Sequence, residues 1–167
     1  MILHTGNTAD LITTTEFLDF PYVRRPIENP ELAQWKQQGY THTHFAGEMY
    51  GYPWPMPAWC NAVAVALHIA SPGFVFYKMT TGVIMPTHVD HFNTYTARFG
   101  VEWNDVCRGL VMLEDWKPGH YLEMDGEGIV NWQRGDYYVW TANTPHAAAN
   151  IGVDTRYTLQ ITGTMSL

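Results

Sequence analysis

The clearest pattern in the sequence is the alternation of apolar and polar residues from position 155 to 162. One face of this segment is apolar and consists of Tyr157, Leu159 and Ile161. The other face is polar and consists of Arg156, Thr158, Gln160 and Thr162. Alternation with a period of two predicts a strand, and its apolar face should pack against a buried helix. On the alternation alone, the polar face fits an exposed edge strand and a polar lumen equally well.

From residue 74 onward, short runs of strand-forming residues are separated by Gly, Pro or Asp turns. They predict eight strands, at 74–80, 83–90, 106–114, 119–124, 128–133, 136–141, 146–150 and 155–162. Two helices are predicted upstream. The first covers 32–38, after an Asn29 cap and Pro30, and the second covers the almost wholly apolar 58–70. Many short strands between turns are typical of a sandwich or a barrel.

Length and composition narrow the class of protein. With 167 residues, of which 14% are aromatic and 15% charged, the chain should be globular and form its own core. No repeat or linker divides it, so we expect a single domain over 1–167. Within it, residues 1–73 should form helical and loop-rich support, with a lid as one role, and residues 74–163 the strand core.

Charge and targeting signals exclude several kinds of partner. The net charge is −7 and no run of Lys or Arg occurs, which argues against nucleic acid and anionic lipid. No apolar run approaches the ~20 residues of a membrane span, and no signal peptide is recognisable. Cys60 and Cys107 form no CxxC pair, which suits a reducing compartment. We therefore expect a cytoplasmic protein.

A His-x-Asp pair, His88 and Asp90, provides the candidate chemistry. Side chains at i and i+2 leave the same face of a strand, so this imidazole and carboxylate can converge on one ion. His146, in a second strand-like region, is the best third ligand. Two imidazole nitrogens and one carboxylate leave the opposite face of an octahedral ion open, as in non-haem Fe(II) enzymes. We predict that these three residues bind iron.

Other histidines are weaker candidates for the metal. His42 and His44 have the same i, i+2 spacing, but their neighbours are loop-like and no matching arginine follows them. His91 should point to the opposite face from the predicted ligands. His120 follows Pro118-Gly119 at a turn, so we expect it to be solvated.

The spacing of Arg156 favours a lumen over solvent for the polar face of the last strand. Arg156 lies ten residues after His146, which allows one strand, a turn at 152–154 and a return beside the first strand. The guanidinium should then lie near the metal, where it could bind a carboxylate through two parallel hydrogen bonds.

The set His88-x-Asp90, His146 and Arg156 resembles the Fe(II)/2-oxoglutarate-dependent oxygenases, and most closely their aspartyl/asparaginyl β-hydroxylase-like branch. The resemblance covers about 74–163. Further similar features are Tyr77 to Gly82 followed by Pro86, Trp132-x-x-Gly135 eleven residues before His146, and the looser cupin motifs Gly82-(x)5-His88 and His146-x-x-x-Asn150. Animal enzymes of that branch have a glycine where Asp90 stands, so their substrate is not carried over.

The resemblance implies a mainly β fold, the cupin-type double-stranded β-helix or jelly roll, with supporting N-terminal helices. It implies Fe(II) and 2-oxoglutarate as cofactor and co-substrate, and hydroxylation of a small molecule, an amino acid or a peptide side chain. Arg156 and Tyr77 would bind the far carboxylate of 2-oxoglutarate. Arg98 or Asn93, on the strand after the metal ligands, would lie near its other end.

An aromatic run contains Trp54 and Trp59, which we interpret as a substrate wall or lid, or as a proline-stiffened cover over the end of the barrel. Two other functions stay open. One is a cupin-type metalloenzyme, a dioxygenase or isomerase without 2-oxoglutarate, in which Arg156 binds the carboxylate of the substrate itself. The other is a non-catalytic cupin binding protein.

Overall fold

The computed structural model describes residues 1–25, 30–41 and 47–166. Within these ranges the strands are β1 (Ile2–Asn7), β2 (Val23–Arg25), β3 (Gly47–Gly51), β4 (Ile69–Met79), β5 (Ile84–His88), β6 (Val106–Met112), β7 (His120–Met124), β8 (Glu127–Ile129), β9 (Asp136–Thr141), β10 (His146–Asn150) and β11 (Arg156–Met165). The α-helices are α1 (Leu32–Gln37), α2 (Trp59–Ala66) and α3 (Asn93–Phe99). Short 3₁₀ turns lie at 9–11, 16–18 and 103–105.

The strands form two antiparallel sheets. The large sheet has the order β1-β9-β6-β11-β4-β3-β2, and the small sheet has the order β5-β10-β7-β8. Consecutive strands such as β4 and β5, or β10 and β11, lie in different sheets, so the chain crosses repeatedly between them. This is the architecture of a jelly roll. The predicted double-stranded β-helix is confirmed.

All eight predicted strands are present, with shifted ends. The helix predicted over 58–70 is shorter, because α2 ends at Ala66 and β4 begins at Ile69. Between them His68 has a φ of 53°, a left-handed conformation that a helix interior does not contain. The apolar run therefore continues through a turn into a strand.

The first part of the chain contains strands that the sequence pattern did not predict. β1 pairs with β9, β3 pairs with β4, and β2 extends that edge by pairing with β3. A purely helical and loop-rich support over 1–73 is therefore wrong. None of the helices in the described part of the chain is long and apolar enough to cross a membrane.

The main core lies on the outer side of the large sheet. There α2 packs on the apolar face of β11, and Val63 and Leu67 of this segment are fully buried together with Leu159 and Ile161. Full burial of one such side chain stabilises the fold by roughly 1.5–3 kcal/mol. The predicted packing of the last strand on the apolar helix is confirmed.

A second core lies between the two sheets. It consists of Leu110, Met112, Leu122, Met124, Trp132 and Trp140, which come from both sheets and from the segment before β9. These side chains fill one part of the space between the sheets and leave the rest as a lumen.

Candidate functional site

The lumen is a cavity of about 420 Å³ whose lining comes from both sheets and from α3. All four polar residues of the alternating segment line it: Arg156, Thr158, Gln160 and Thr162. The polar face of β11 therefore points into the lumen, as the spacing of Arg156 predicted.

The three predicted ligands meet at this cavity. His88 ends β5, Asp90 follows two residues later, and His146 begins β10. Pairing of β5 with β10 places His88 opposite His146. One ligand atom from each of the three residues lies within 4.8 Å of the others, and Nε2 of His146 is 3.8 Å from Oδ2 of Asp90. This spacing suits a single cation.

Both imidazoles have their tautomer set by the backbone. Nδ1 of His88 donates to the carbonyl oxygen of Pro86 at 2.8 Å, and Nδ1 of His146 donates to that of Thr144 at 3.0 Å. With the proton on Nδ1, each Nε2 keeps a lone pair, which is the form that binds a metal. The donor set and its orientation therefore fit a divalent transition metal such as Fe(II).

The charges of the site also suit a metal. Burial by itself would raise the pKa of Asp90, but Arg108 and the two histidines outweigh it and lower this pKa to about 2. Burial lowers the pKa of His146 to about 4, although Asp90 acts in the opposite direction. At neutral pH the site thus contains a carboxylate and a neutral His146, as metal ligation requires.

Arg108 is one of the site residues that the sequence did not predict. Its Nε donates to Oδ2 of Asp90 at 3.1 Å and its Nη2 to Oδ1 at 3.2 Å, a bidentate pair. Its Nη1 donates to Oγ1 of Thr162 at 2.6 Å, and the guanidinium lies 4.9 Å from the ring centre of Phe92. The available signal was an arginine within the otherwise apolar strand Val106–Met112.

A second set of polar side chains lines the cavity, and it consists of Arg156, Tyr77 and Thr158. Arg156 is 4% exposed, and its Nη1 donates to the carbonyl oxygen of Tyr121 at 2.8 Å. In the described part of the chain, Nε of Arg156 and the hydroxyls of Tyr77 and Thr158 have no hydrogen-bond partner. Tyr77 and Thr158 are directly opposite each other on β4 and β11. Thr158 was not among the predicted site residues.

This group has the character of an anion site. Burial lowers the pKa of Arg156 to about 10, so the guanidinium is still charged at neutral pH. Burial raises the pKa of Tyr77 to about 12, so its hydroxyl remains a donor. Buried polar groups without partners are costly, so several donors around one cavity fit an anionic ligand.

The turn between β10 and β11 holds Arg156 in place. Nδ2 of Asn150 donates to the carbonyl oxygens of Met79, at 2.9 Å, and Asp154, at 2.7 Å. His120 donates from Nε2 to the same Asp154 oxygen at 2.9 Å and is only 3% exposed. The prediction that His120 is solvated is therefore wrong, because the turn folds over it.

The segment after His88 and Asp90 is a helix, so the strand predicted to carry Asn93 and Arg98 is wrong. Phe92, with a φ of 53°, precedes α3, and Gly100, with a φ of 65°, ends it. Asn93 lines the rim of the cavity. Arg98 is exposed, stacks over Tyr52 at 5.1 Å and is absent from the lining.

The predicted aromatic wall is also wrong. Trp59 is 6% exposed, and Trp54 stacks on Tyr50 with 5.3 Å between ring centres. Both belong to the core on the outer side of the large sheet, away from the lumen. His91 lies at the cavity rim, 3.4 Å from Glu31. His42 and His44, the alternative metal pair, lie outside the described residues.

No family model and no curated protein matches this sequence. Among solved structures, a prolyl-4-hydroxylase of Pseudomonas putida is similar over 96% of this chain and 91% of its own, with a TM-score of 0.65 and 14% identity. KdgF from a Halomonas species is similar over 71% and 78%, with a TM-score of 0.44 and 13% identity. A cupin protein from Bacteroides fragilis is similar over 60% and 72%, with a TM-score of 0.40 and 14% identity. The likeness to the prolyl-4-hydroxylase extends over almost the whole of both chains and shows a shared fold.

Proposed function

We propose that this protein is an Fe(II)- and 2-oxoglutarate-dependent dioxygenase that hydroxylates a small molecule, an amino acid or a peptide side chain. One observation carries the proposal. The cluster of His88, Asp90 and His146 lines the same lumen as the buried Arg156, whose Nε and whose neighbouring hydroxyls have no hydrogen-bond partner among the described residues. A candidate metal cluster and a candidate anion site in one cavity suit a co-substrate that chelates the metal and ends in a carboxylate.

The metal would be held by Nε2 of His88, Nε2 of His146 and a carboxylate oxygen of Asp90. The carbonyl oxygens of Pro86 and Thr144 keep the rings oriented, and Arg108 keeps the carboxylate oriented. Such supporting contacts typically change metal affinity by ~10- to 100-fold.

The far carboxylate of 2-oxoglutarate would be bound by Arg156, with hydroxyl contacts from Tyr77 and Thr158. A protonated guanidinium and two hydroxyl donors are the partners that a buried carboxylate needs. Gly47 contributes by leaving room for the ring of Tyr77, since a Cβ there would collide with that ring.

With iron and 2-oxoglutarate bound, dioxygen would convert the co-substrate to succinate and carbon dioxide, and one oxygen atom would enter a C–H bond of the substrate. The side chains of the protein would bind and orient the co-substrate and the substrate, and they would exclude water from the lumen. Between the polar groups, the wall of the lumen is apolar and is formed by Met49, Met79, Met85, Leu110 and Leu122.

The shared fold supports the proposal at the level of architecture. The similar protein of Pseudomonas putida is a prolyl-4-hydroxylase, so this architecture is one that carries a hydroxylase. At 14% identity the substrate of that enzyme is not transferred. The aspartyl/asparaginyl β-hydroxylase-like branch remains a prediction from the sequence motifs.

The test is anaerobic addition of Fe(II) and then 2-oxoglutarate to metal-free protein. We expect a visible charge-transfer band that needs both, because 2-oxoglutarate would chelate the bound iron. Admission of air should then yield succinate. Fe(II) binding without the band and without succinate would favour a metalloenzyme that does not use 2-oxoglutarate. Absence of metal binding would favour a non-catalytic protein.

A further inference from the structure

Arg108 places a second guanidinium in the lumen, beside the metal cluster. From it we infer that the substrate to be oxidised carries a carboxylate, which Arg108 binds. This inference rests on the proposed function and names the substrate class for the same site.

Hydrogen bonding leaves Arg108 with donors to spare. A guanidinium has five N–H groups. Three of these N–H groups are used: those on Nε and Nη2 contact Asp90, and one on Nη1 contacts Thr162. One N–H group remains on each of Nη1 and Nη2. Two donors on one planar fork match the two oxygens of a carboxylate. The lumen-lining position of Arg108 gives such a ligand access to them.

The guanidinium is also fixed before any ligand arrives. Asp90 holds one edge, Thr162 holds Nη1, and the ring of Phe92 lies against its face. Thr162 and Arg108 are directly opposite each other on β11 and β6. A donor held in this way loses little conformational entropy when it binds.

The charge of the lumen calls for one more anion. Among the described residues that line the cavity, Asp90 is the only acid, and Arg108 and Arg156 are the only Lys or Arg side chains. His91 lies at the rim in contact with Glu31, which is not part of the lining, and imidazoles that ligate a metal are neutral. The lining thus carries one positive charge, which a divalent metal raises to three. Bound 2-oxoglutarate, with two negative charges, returns it to one.

An unbalanced charge in a lumen of low dielectric constant is unfavourable. A monoanionic substrate removes the imbalance, whereas a neutral substrate leaves it and a dianion such as a phosphate monoester reverses it. Together with the two donors of Arg108, this favours a single carboxylate.

Arg108 and Arg156 serve different ends of the lumen. Thr162, the partner of Arg108, lies six residues after Arg156 on β11, which is about 20 Å along a strand. Gln160 lies between them on the same lumen-facing side. The half of the lumen near Arg108 is also lined by Phe92 and by Asn93, the first residue of α3, and it is there that we place the substrate.

The test uses acetate and acetamide, two small probes of similar size that differ in charge. The protein is loaded with Mn(II) and N-oxalylglycine, a 2-oxoglutarate analogue, and paramagnetic relaxation of the probe methyl protons reports binding near the metal. We expect acetate to bind about tenfold or more tightly than acetamide. Arg108→Gln should reduce acetate binding to the level of acetamide.

Two further variants sharpen the result. Arg98→Gln removes the same charge from an exposed arginine outside the cavity and should bind acetate like the wild type. Arg108→Lys keeps a cation beside Asp90 but loses the fork, so acetate binding should weaken while Mn(II) remains bound. Mn(II) and N-oxalylglycine loading are measured separately for every variant, by electron paramagnetic resonance and calorimetry.

Equal binding of acetate and acetamide to the loaded wild type would overturn the inference and leave the proposed function standing. So would acetate binding that is unchanged in Arg108→Gln, because the probe would then contact the metal itself. Loss of N-oxalylglycine in Arg108→Lys would mean that Arg108 binds the co-substrate, which also overturns the inference. Failure of the wild type to bind Mn(II) or N-oxalylglycine would overturn the proposed function, and the inference with it.

Discussion

The two candidate metal-binding histidines are oriented by the same local device. In each case Nδ1 donates to the carbonyl oxygen two residues earlier, that of Pro86 for His88 and that of Thr144 for His146. The rings therefore take their orientation from the backbone, while Asp90 takes its orientation from Arg108. At the scale of residues, the ligand atoms are positioned before a metal binds, which favours affinity.

Replacing His88, Asp90 or His146 with alanine should abolish stoichiometric Fe(II) binding and leave the fold intact. The ligands line a cavity and do not fill a core, so their loss removes few packing contacts. Metal titration and circular dichroism measure the two effects. His68→Asn, a change of an exposed histidine with a φ of 53°, is the matched control. Tight Fe(II) binding by all three variants would place the site elsewhere, with His42 and His44 next to be tested.

Arg156→Ala should weaken the binding of 2-oxoglutarate by at least about tenfold, because hydrogen bonds to charged groups contribute ~1.5–3 kcal/mol each. It should leave the affinity for Fe(II) unchanged. Arg156→Lys should retain part of the affinity for 2-oxoglutarate, since the charge remains but the fork is lost. Paired titrations of Fe(II) and then of N-oxalylglycine measure both quantities. Wild-type affinity in Arg156→Ala would contradict the assignment of the co-substrate pocket.

At the scale of elements, the turn between β10 and β11 connects the candidate metal cluster with the candidate anion site around Arg156. β10 begins with His146 in the small sheet, and β11 begins with Arg156 in the large sheet. Asn150 is fully buried at this turn, where it donates to Met79 and Asp154 and accepts from the backbone N–H of Gly152. The amide of Asn150 therefore helps to set the position of Arg156 relative to the metal cluster, together with the pairing of β11 with β4.

Asn150→Ala should lower the free energy of unfolding by roughly 2–4 kcal/mol, because it removes three hydrogen bonds of the turn, including the buried one to the carbonyl oxygen of Met79. The same change should also weaken the binding of 2-oxoglutarate more than the binding of Fe(II), because Arg156 follows the turn. Urea denaturation and ligand titration provide the two measurements. Asn61→Ala, on the exposed side of α2, should change stability by less than about 0.5 kcal/mol. Equal stability of both variants would contradict the role of the turn.

At the scale of the whole molecule, the site spans two sheets. The candidate metal ligands His88 and His146 belong to the small sheet, whereas Arg156, Tyr77 and Thr158 belong to the large one. A co-substrate bound to both would connect the sheets across the lumen. This connection would require the metal, because the co-substrate would reach the small sheet through it.

We therefore expect 2-oxoglutarate, at ~100 times its dissociation constant, to stabilise the metal-loaded protein by ~2.7 kcal/mol through mass action. Thermal or urea unfolding with and without a chelator measures the effect. Succinate, which has both carboxylates but no keto group, is the control and should stabilise less. Equal stabilisation by 2-oxoglutarate in the presence of the chelator would show that it does not contact the metal.

Much of the fold was predictable because its evidence is local. The alternation in β11 indicated a strand with one apolar and one polar face. The i, i+2 spacing of His88 and Asp90 indicated convergent ligands, and the two side chains do come together, although Asp90 lies two residues beyond the end of β5. The separation of His146 from Arg156 left room for one turn between two strands. Periodicity and spacing depend on the backbone geometry of short segments, so they can be read from the residues themselves.

Only the tertiary structure decided which groups meet across the molecule. The sequence by itself determined the eight strands from residue 74 onward and the candidate ligands. It did not determine that β1, β2 and β3 complete the large sheet, that Trp54 and Trp59 pack outside the lumen, or that Arg108 pairs with Asp90. Contacts between distant residues decide which strands form the edge of a sheet, which side of a sheet a loop covers and which residue pairs with a buried charge. Local periodicity carries no information about such contacts.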